Sequence, residues 1–149
     1  SLCKEREIDG VIVPDLPFEE RDEIADVADK FGIHFINLVA PTSNDRVTMI
    51  AKESKGFLYV ISSLDMTDAK NQININFDNL LAPLKEHNEY SPACIAFDVT
   101  TPEQAKKISD CSDGIIIGST IVKLIEQYGK YSTEMVGKFV KSLRNAMDN

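Results

Sequence analysis

Apolar and polar positions alternate between two periods along this chain. Short β-branched runs read as strands at Asp9–Val13, Ile33–Ala40, Gly56–Ser62, Ala93–Phe97 and Asp113–Ile117. Between them the apolar residues fall at helical spacing. Ile24, Val27, Ala28 and Phe31 predict one helical face within residues 18–31, closed by Gly32. Val47, Ile50 and Ala51 predict a second after the turn Pro41-Thr42-Ser43-Asn44. Phe77, Leu80, Leu81 and Leu84 predict a third, limited by Pro83 and preceded by a long polar loop over 63–76. Thr101 and Pro102 read as cap and first residue of a helix that turns Ala105 and Ile108 inward. Met135, Val136, Phe139, Val140, Leu143 and Met147 space a closing amphipathic helix. Residues 1–6 read as part of a helix.

Repeated strand–helix units imply parallel strands joined by right-handed crossovers. Two architectures satisfy that. An eight-unit barrel usually takes about 250 residues, so five units in 149 residues would be roughly three short of closure. Pattern alone therefore favours an open sheet with helices on both faces. No linker or composition break divides the chain, which reads as a single domain over residues 1–149.

Charge and composition narrow the function. The formal net charge is −8, which argues against a nucleic-acid partner, since phosphate backbones need a basic face. No apolar run reaches the roughly 18 residues of a membrane span. Cys3, Cys94 and Cys111 are odd in number and far apart; they fit reduced thiols of a cytoplasmic protein better than a disulfide framework or a metal site. His34 and His87 lack acidic or thiol neighbours at useful spacing and read as structural or exposed.

One stretch carries candidate chemistry, Asp113-Gly114-Ile115-Ile116-Ile117-Gly118-Ser119-Thr120. A buried parallel strand runs into a Gly-Ser turn that opens a helix, with Ser119 as expected cap and Lys123 pointing outward. Gly118 leaves its amide uncovered, and the first helical N–H groups have no partner within the helix. Unpaired amides at the positive end of a helix dipole make an anion site. An ordinary strand-to-helix turn explains the same residues.

Five motifs, in order and correctly spaced, resemble the tryptophan synthase alpha chain family. They are Asp9-Gly10-Val11-Ile12-Val13-Pro14-Asp15-Leu16-Pro17-Phe18-Glu19-Glu20, Leu38-Val39-Ala40-Pro41-Thr42-Ser43, Gly56-Phe57-Leu58-Tyr59-Val60-Ile61-Ser62, Thr101-Pro102-Glu103-Gln104, and the stretch from Asp113 to Lys123. The resemblance implies a (β/α)8 TIM barrel, of which these residues correspond to units four to eight: a partial barrel of about five units with parallel strands. It overrides the preference for an open sheet.

The family cleaves indole-3-glycerol phosphate to indole and glyceraldehyde 3-phosphate and passes the indole to a beta chain. Pyridoxal phosphate is expected only on that partner. By resemblance Gly118 and Ser119 hold the substrate phosphate, Thr67 assists loop closure, and Ile12, Leu38, Tyr59 and Phe97 form the indole pocket. For the four apolar residues, simple barrel core is the competing account. The acid–base Glu and Asp of the family match no residue here and are expected upstream, so the 149 residues alone are expected to be inactive. No metal is implied.

Two positions depart from the family pattern. Asp68 and Asp98 stand where the family has phosphate-contacting glycines, and a carboxylate beside a phosphate is repelled by on the order of 1 to 4 kcal/mol per charge pair. A non-catalytic alpha-like subunit that still binds a beta chain is therefore the alternative function. Asp15, Asp68 and Asp98 converging on Mg²⁺ is a third reading. Asp15 equally suits a turn residue capping the next helix.

Overall fold

The computed structural model describes residues 2–40, 44–61, 81 and 91–148. A four-residue helix, α1 (Leu2–Glu5), precedes strand β1 (Gly10–Val11). A 3-10 turn (Phe18–Glu20) leads into α2 (Asp22–Lys30). Strands β2 (His34–Phe35) and β3 (Leu38–Val39) divide the expected second strand, and α3 (Asn44–Lys52) follows. Then come β4 (Leu58–Ile61), β5 (Ala93–Ala96), α4 (Pro102–Ser109), β6 (Gly114–Ile116), α5 (Ser119–Tyr128) and α6 (Ser132–Met147).

All described pairings are parallel. β1 pairs with β2, and β3, β4, β5 and β6 pair in that order. The segment around Ile36 joins the two ladders: its N–H donates to Val11 carbonyl, and Tyr59 N–H donates to Asn37 carbonyl. Neighbours in space thus follow chain order, with no reversal of the kind that defines a doubly wound sheet. The expectation of helices on both faces is corrected accordingly. Val39, Leu58, Val60, Ala93 and Ile95 point to one side, where they meet Val47, Ile50, Ala105, Ile108 and Leu143 in one buried cluster. The alternate residues Leu38, Tyr59, Ile61, Cys94, Ala96 and Ile116 are less buried and face the other side. One helix-covered face and one inward face are the arrangement of a barrel wall.

Local rules explain the boundaries. Thr101 caps α4 through a reciprocal capping box: its Oγ1 accepts from Gln104 N–H at 3.3 Å, and Gln104 Oε1 accepts from Thr101 N–H at 3.1 Å. Pro102 opens the helix, as expected. Gly32 follows α2 with φ of +69°, a conformation that suits a residue without Cβ.

The expected first helix is corrected in two respects. Residues 18–20 form a 3-10 turn ahead of α2, and only Ala28 of the four inward residues is buried. Ile24, Val27 and Phe31 remain 36–51% exposed. Their helix follows β1, which among the described residues has a strand neighbour on one side only. In the third expected helix only Leu81 is described; it is helical and 2% exposed. The loop over 63–76 lies outside the described residues. No described helix is long and apolar enough to cross a membrane.

Candidate functional site

The strands deliver their carboxyl ends to one side of the sheet, where parallel α/β folds place their ligands. A cavity of about 500 Å³ opens there. Period-two alternation brings Leu38, Tyr59, Ile61, Ala96 and Ile116 to its wall, since these are the inward positions of β3 to β6. Leu38 and Tyr59 are direct register partners. Ile12, just beyond β1, closes the far side together with Pro14. Phe97 serves two environments: it is 9% exposed within the helix-side cluster and also lines the cavity. Gly118, Ser119 and Asp98 complete the lining. Tyr59 is half-buried, and its phenol meets no partner among the described residues.

The structure thus gathers Ile12, Leu38, Tyr59, Phe97, Gly118 and Ser119 around one space. Ile61 and Ile116 join them beyond the residues the resemblance implies; they sit two residues on from Tyr59 and Gly114 and share their face. Thr67 and Asp68 lie outside the described residues. Asp15 is exposed, forms no cap bond with the 3-10 turn that follows, and stays off the cavity wall. Among the described residues no three His, Cys, Asp or Glu side chains are grouped to hold a metal ion.

The turn after β6 corrects one expectation. Gly118, with φ −114° and ψ −72°, occupies the cap position of α5, and Ser119 is the first helical residue; its hydroxyl makes no cap bond. Both residues are exposed, and among the described residues neither N–H meets an acceptor. The first intrahelical bond runs from Val122 N–H to Gly118 carbonyl at 3.1 Å. A Cβ at Gly118 would meet nothing within 4 Å. Two uncovered amides thus stand at a helix N-terminus in residues that line the cavity, a geometry that suits an oxyanion.

Asp98 brings negative charge to the same cavity, and the exposed Lys123 stands beside it. Asp98 Oδ1 lies 3.0 Å from Thr120 Oγ1 and shares its single proton with the Val99 carbonyl, and Asp98 Oδ2 lies 3.6 Å from Lys123 Nζ. Thr120 Oγ1 also lies 2.8 Å from Val99 carbonyl, tying the loop after β5 to the first turn of α5. Deeper on the inward face, burial and the nearby Asp113 carboxylate push the Cys94 thiol up from its ordinary range. That thiol stays protonated at neutral pH and is a poor nucleophile.

The family model for the tryptophan synthase alpha chain matches residues 1–149. The tryptophan synthase alpha chain of Lacticaseibacillus casei is 39% identical over 146 residues, covering 98% of this chain and 54% of that protein. That of Thermoanaerobacter sp. is 43% identical over 143 residues, covering 94% and 54%. Among solved structures, the alpha chain from Legionella pneumophila subsp. pneumophila superimposes with a TM-score of 0.78 at 29% identity, over 97% of this chain and 54% of that one. A tryptophan synthase complex from Pyrococcus furiosus gives a TM-score of 0.77 at 27% identity, over 96% and 57%. The chain spans about half the length of the curated relatives it matches.

Proposed function

Because this chain belongs to the tryptophan synthase alpha chain family, we propose that the polypeptide it forms part of cleaves indole-3-glycerol phosphate to indole and glyceraldehyde 3-phosphate. One observation carries the reading: a single cavity joins an apolar wall to a pair of uncovered amides. The substrate has that polarity, a flat hydrophobic ring at one end and a dianion at the other. The ring packs against Ile12, Leu38, Tyr59 and Phe97, and the phosphate accepts from Gly118 and Ser119 N–H. Holding both ends fixes the carbon–carbon bond between them for attack by groups placed elsewhere. The retro-aldol step needs a general acid and base. Their place is in the part of the relatives' length that these 149 residues do not span, and Thr67 assists closure over the bound substrate. A beta chain is the proposed partner, as in the tryptophan synthase a2b2 complex from Pyrococcus furiosus.

Turnover of indole-3-glycerol phosphate by the full-length polypeptide is the test; indole release at a rate typical of enzymes supports the reading. The placement of Asp98 in the cavity favours one second reading, a non-catalytic subunit that docks a beta chain. Normal turnover eliminates it, and absence of turnover with intact beta-chain binding supports it.

A further inference from the structure

Asp98, Gly118 and Ser119 line one cavity, and a carboxylate and uncovered amides have opposed electrostatic preferences. A carboxylate is itself a good acceptor for helix N-terminal amides. Left unrestrained, Asp98 could turn onto those N–H groups and occupy the place of an external anion. Two groups on α5 stand beside it instead: Oδ1 lies 3.0 Å from Thr120 Oγ1, whose single proton is shared with the Val99 carbonyl at 2.8 Å, and Oδ2 lies 3.6 Å from Lys123 Nζ. Thr120 and Lys123 stand three residues apart on α5, one turn along the same side of the helix. The helix that offers the amides thus also holds the competing carboxylate off them. Both partners of the ion pair are well exposed, at 66% and 48%, so the pair adds little to stability. Its consequence lies in where the Asp98 charge sits.

We propose that Thr120 and Lys123 are positioning residues that hold the Asp98 carboxylate away from Gly118 and Ser119, and so set the affinity of the cavity for phosphate esters. This rests on the reading of Gly118 and Ser119 as the oxyanion site. Its signature is conditional: loss of a restraint matters only while Asp98 is present.

The test is a mutant cycle in the full-length polypeptide, with inorganic phosphate titrated and the Gly118 and Ser119 amide resonances observed. Thr120→Val keeps the shape and removes the hydroxyl. With Asp98 present it should weaken phosphate binding roughly tenfold and shift both amide resonances before any phosphate is added. In the Asp98→Gly background the same change should alter affinity by less than roughly twofold. Lys123→Ala, at a 66% exposed side chain that cannot threaten the fold, should likewise cost more with Asp98 than without it. Equal losses in both backgrounds, or none in either, overturn the proposal and leave the oxyanion reading standing. Phosphate that moves neither amide in any of these proteins defeats the oxyanion reading, and this proposal with it.

Discussion

Gly118→Ala separates binding from folding, because the structure assigns this position open space and an ordinary backbone. Its φ of −114° lies in the region open to any L-residue, and an added Cβ meets no atom within 4 Å. Two small effects on stability oppose one another. Alanine is a poorer helix cap than glycine, which costs about 0.5–1 kcal/mol. It also reduces the freedom of the unfolded chain, which returns about 0.4–1 kcal/mol. The net change should stay within about 0.5 kcal/mol, less than roughly 2 °C in melting temperature. Binding should respond very differently. The methyl group enters the space an oxyanion is proposed to fill and disrupts a charge-assisted hydrogen bond worth about 1.5–3 kcal/mol, or roughly ten- to hundredfold in affinity. The assay pairs a thermal melt of the full-length polypeptide with a phosphate titration followed at the Ser119 amide. A variant that melts normally and binds phosphate within twofold of the parent refutes the assignment of this turn.

Other expectations follow from the packing. Gly114 faces Cys94 across the β5–β6 ladder, and a Cβ there would approach its Sγ to 2.9 Å; Gly114→Ala should cost about 1–3 kcal/mol in denaturant unfolding, largely recovered when combined with Cys94→Ala. Ile108→Ala empties a fully buried position under α4 and should cost about 2–5 kcal/mol by the same measurement. Thr101→Ala removes the capping box and should cost about 1 kcal/mol. The Cys94 thiol is shifted upward on folding, so the native state retains a proton that the unfolded state releases; stability should therefore decline as pH rises past the ordinary thiol range near 8.5–9 and be unaffected by this group below it, as pH-dependent unfolding will show against Cys94→Ala. Among the described residues β1 and β6 each have a free edge, so the 149-residue chain on its own should self-associate, and a monodisperse monomer in sedimentation would contradict that.

Much of this architecture is visible in one dimension because period carries it. The run Gly56–Ser62 announces a strand, and its alternation already separates Leu58 and Val60 from Tyr59 and Ile61. Thr101-Pro102-Glu103-Gln104 encodes its own helix start through chemistry confined to four residues. What the period leaves open is how many neighbours an element has. The Ile24–Val27–Phe31 stripe looks like a buried face, yet burial depends on an adjoining unit that local sequence cannot report. The cap of α5 falls at Gly118, one residue before the expected Ser119, because Ser and Gly both suit that position and only backbone angles decide between them. The company Asp98 keeps depends on a contact across 22 residues, from the loop after β5 to Thr120. No spacing rule announces such a contact, whereas the family resemblance marked the position as unusual without saying where its charge would rest.

The register holds a geometric consequence. Val11 pairs with Phe35, four residues before Val39; Val39 pairs with Val60, one before Ile61; Ile61, Ala96 and Ile116 are then level. Strand ends advance by five residues over four neighbouring steps, close to the average stagger of one per strand in a closed eight-stranded ring of shear eight. In a closed ring such a stagger slants the strands about the axis and gathers their carboxyl tips on a common rim.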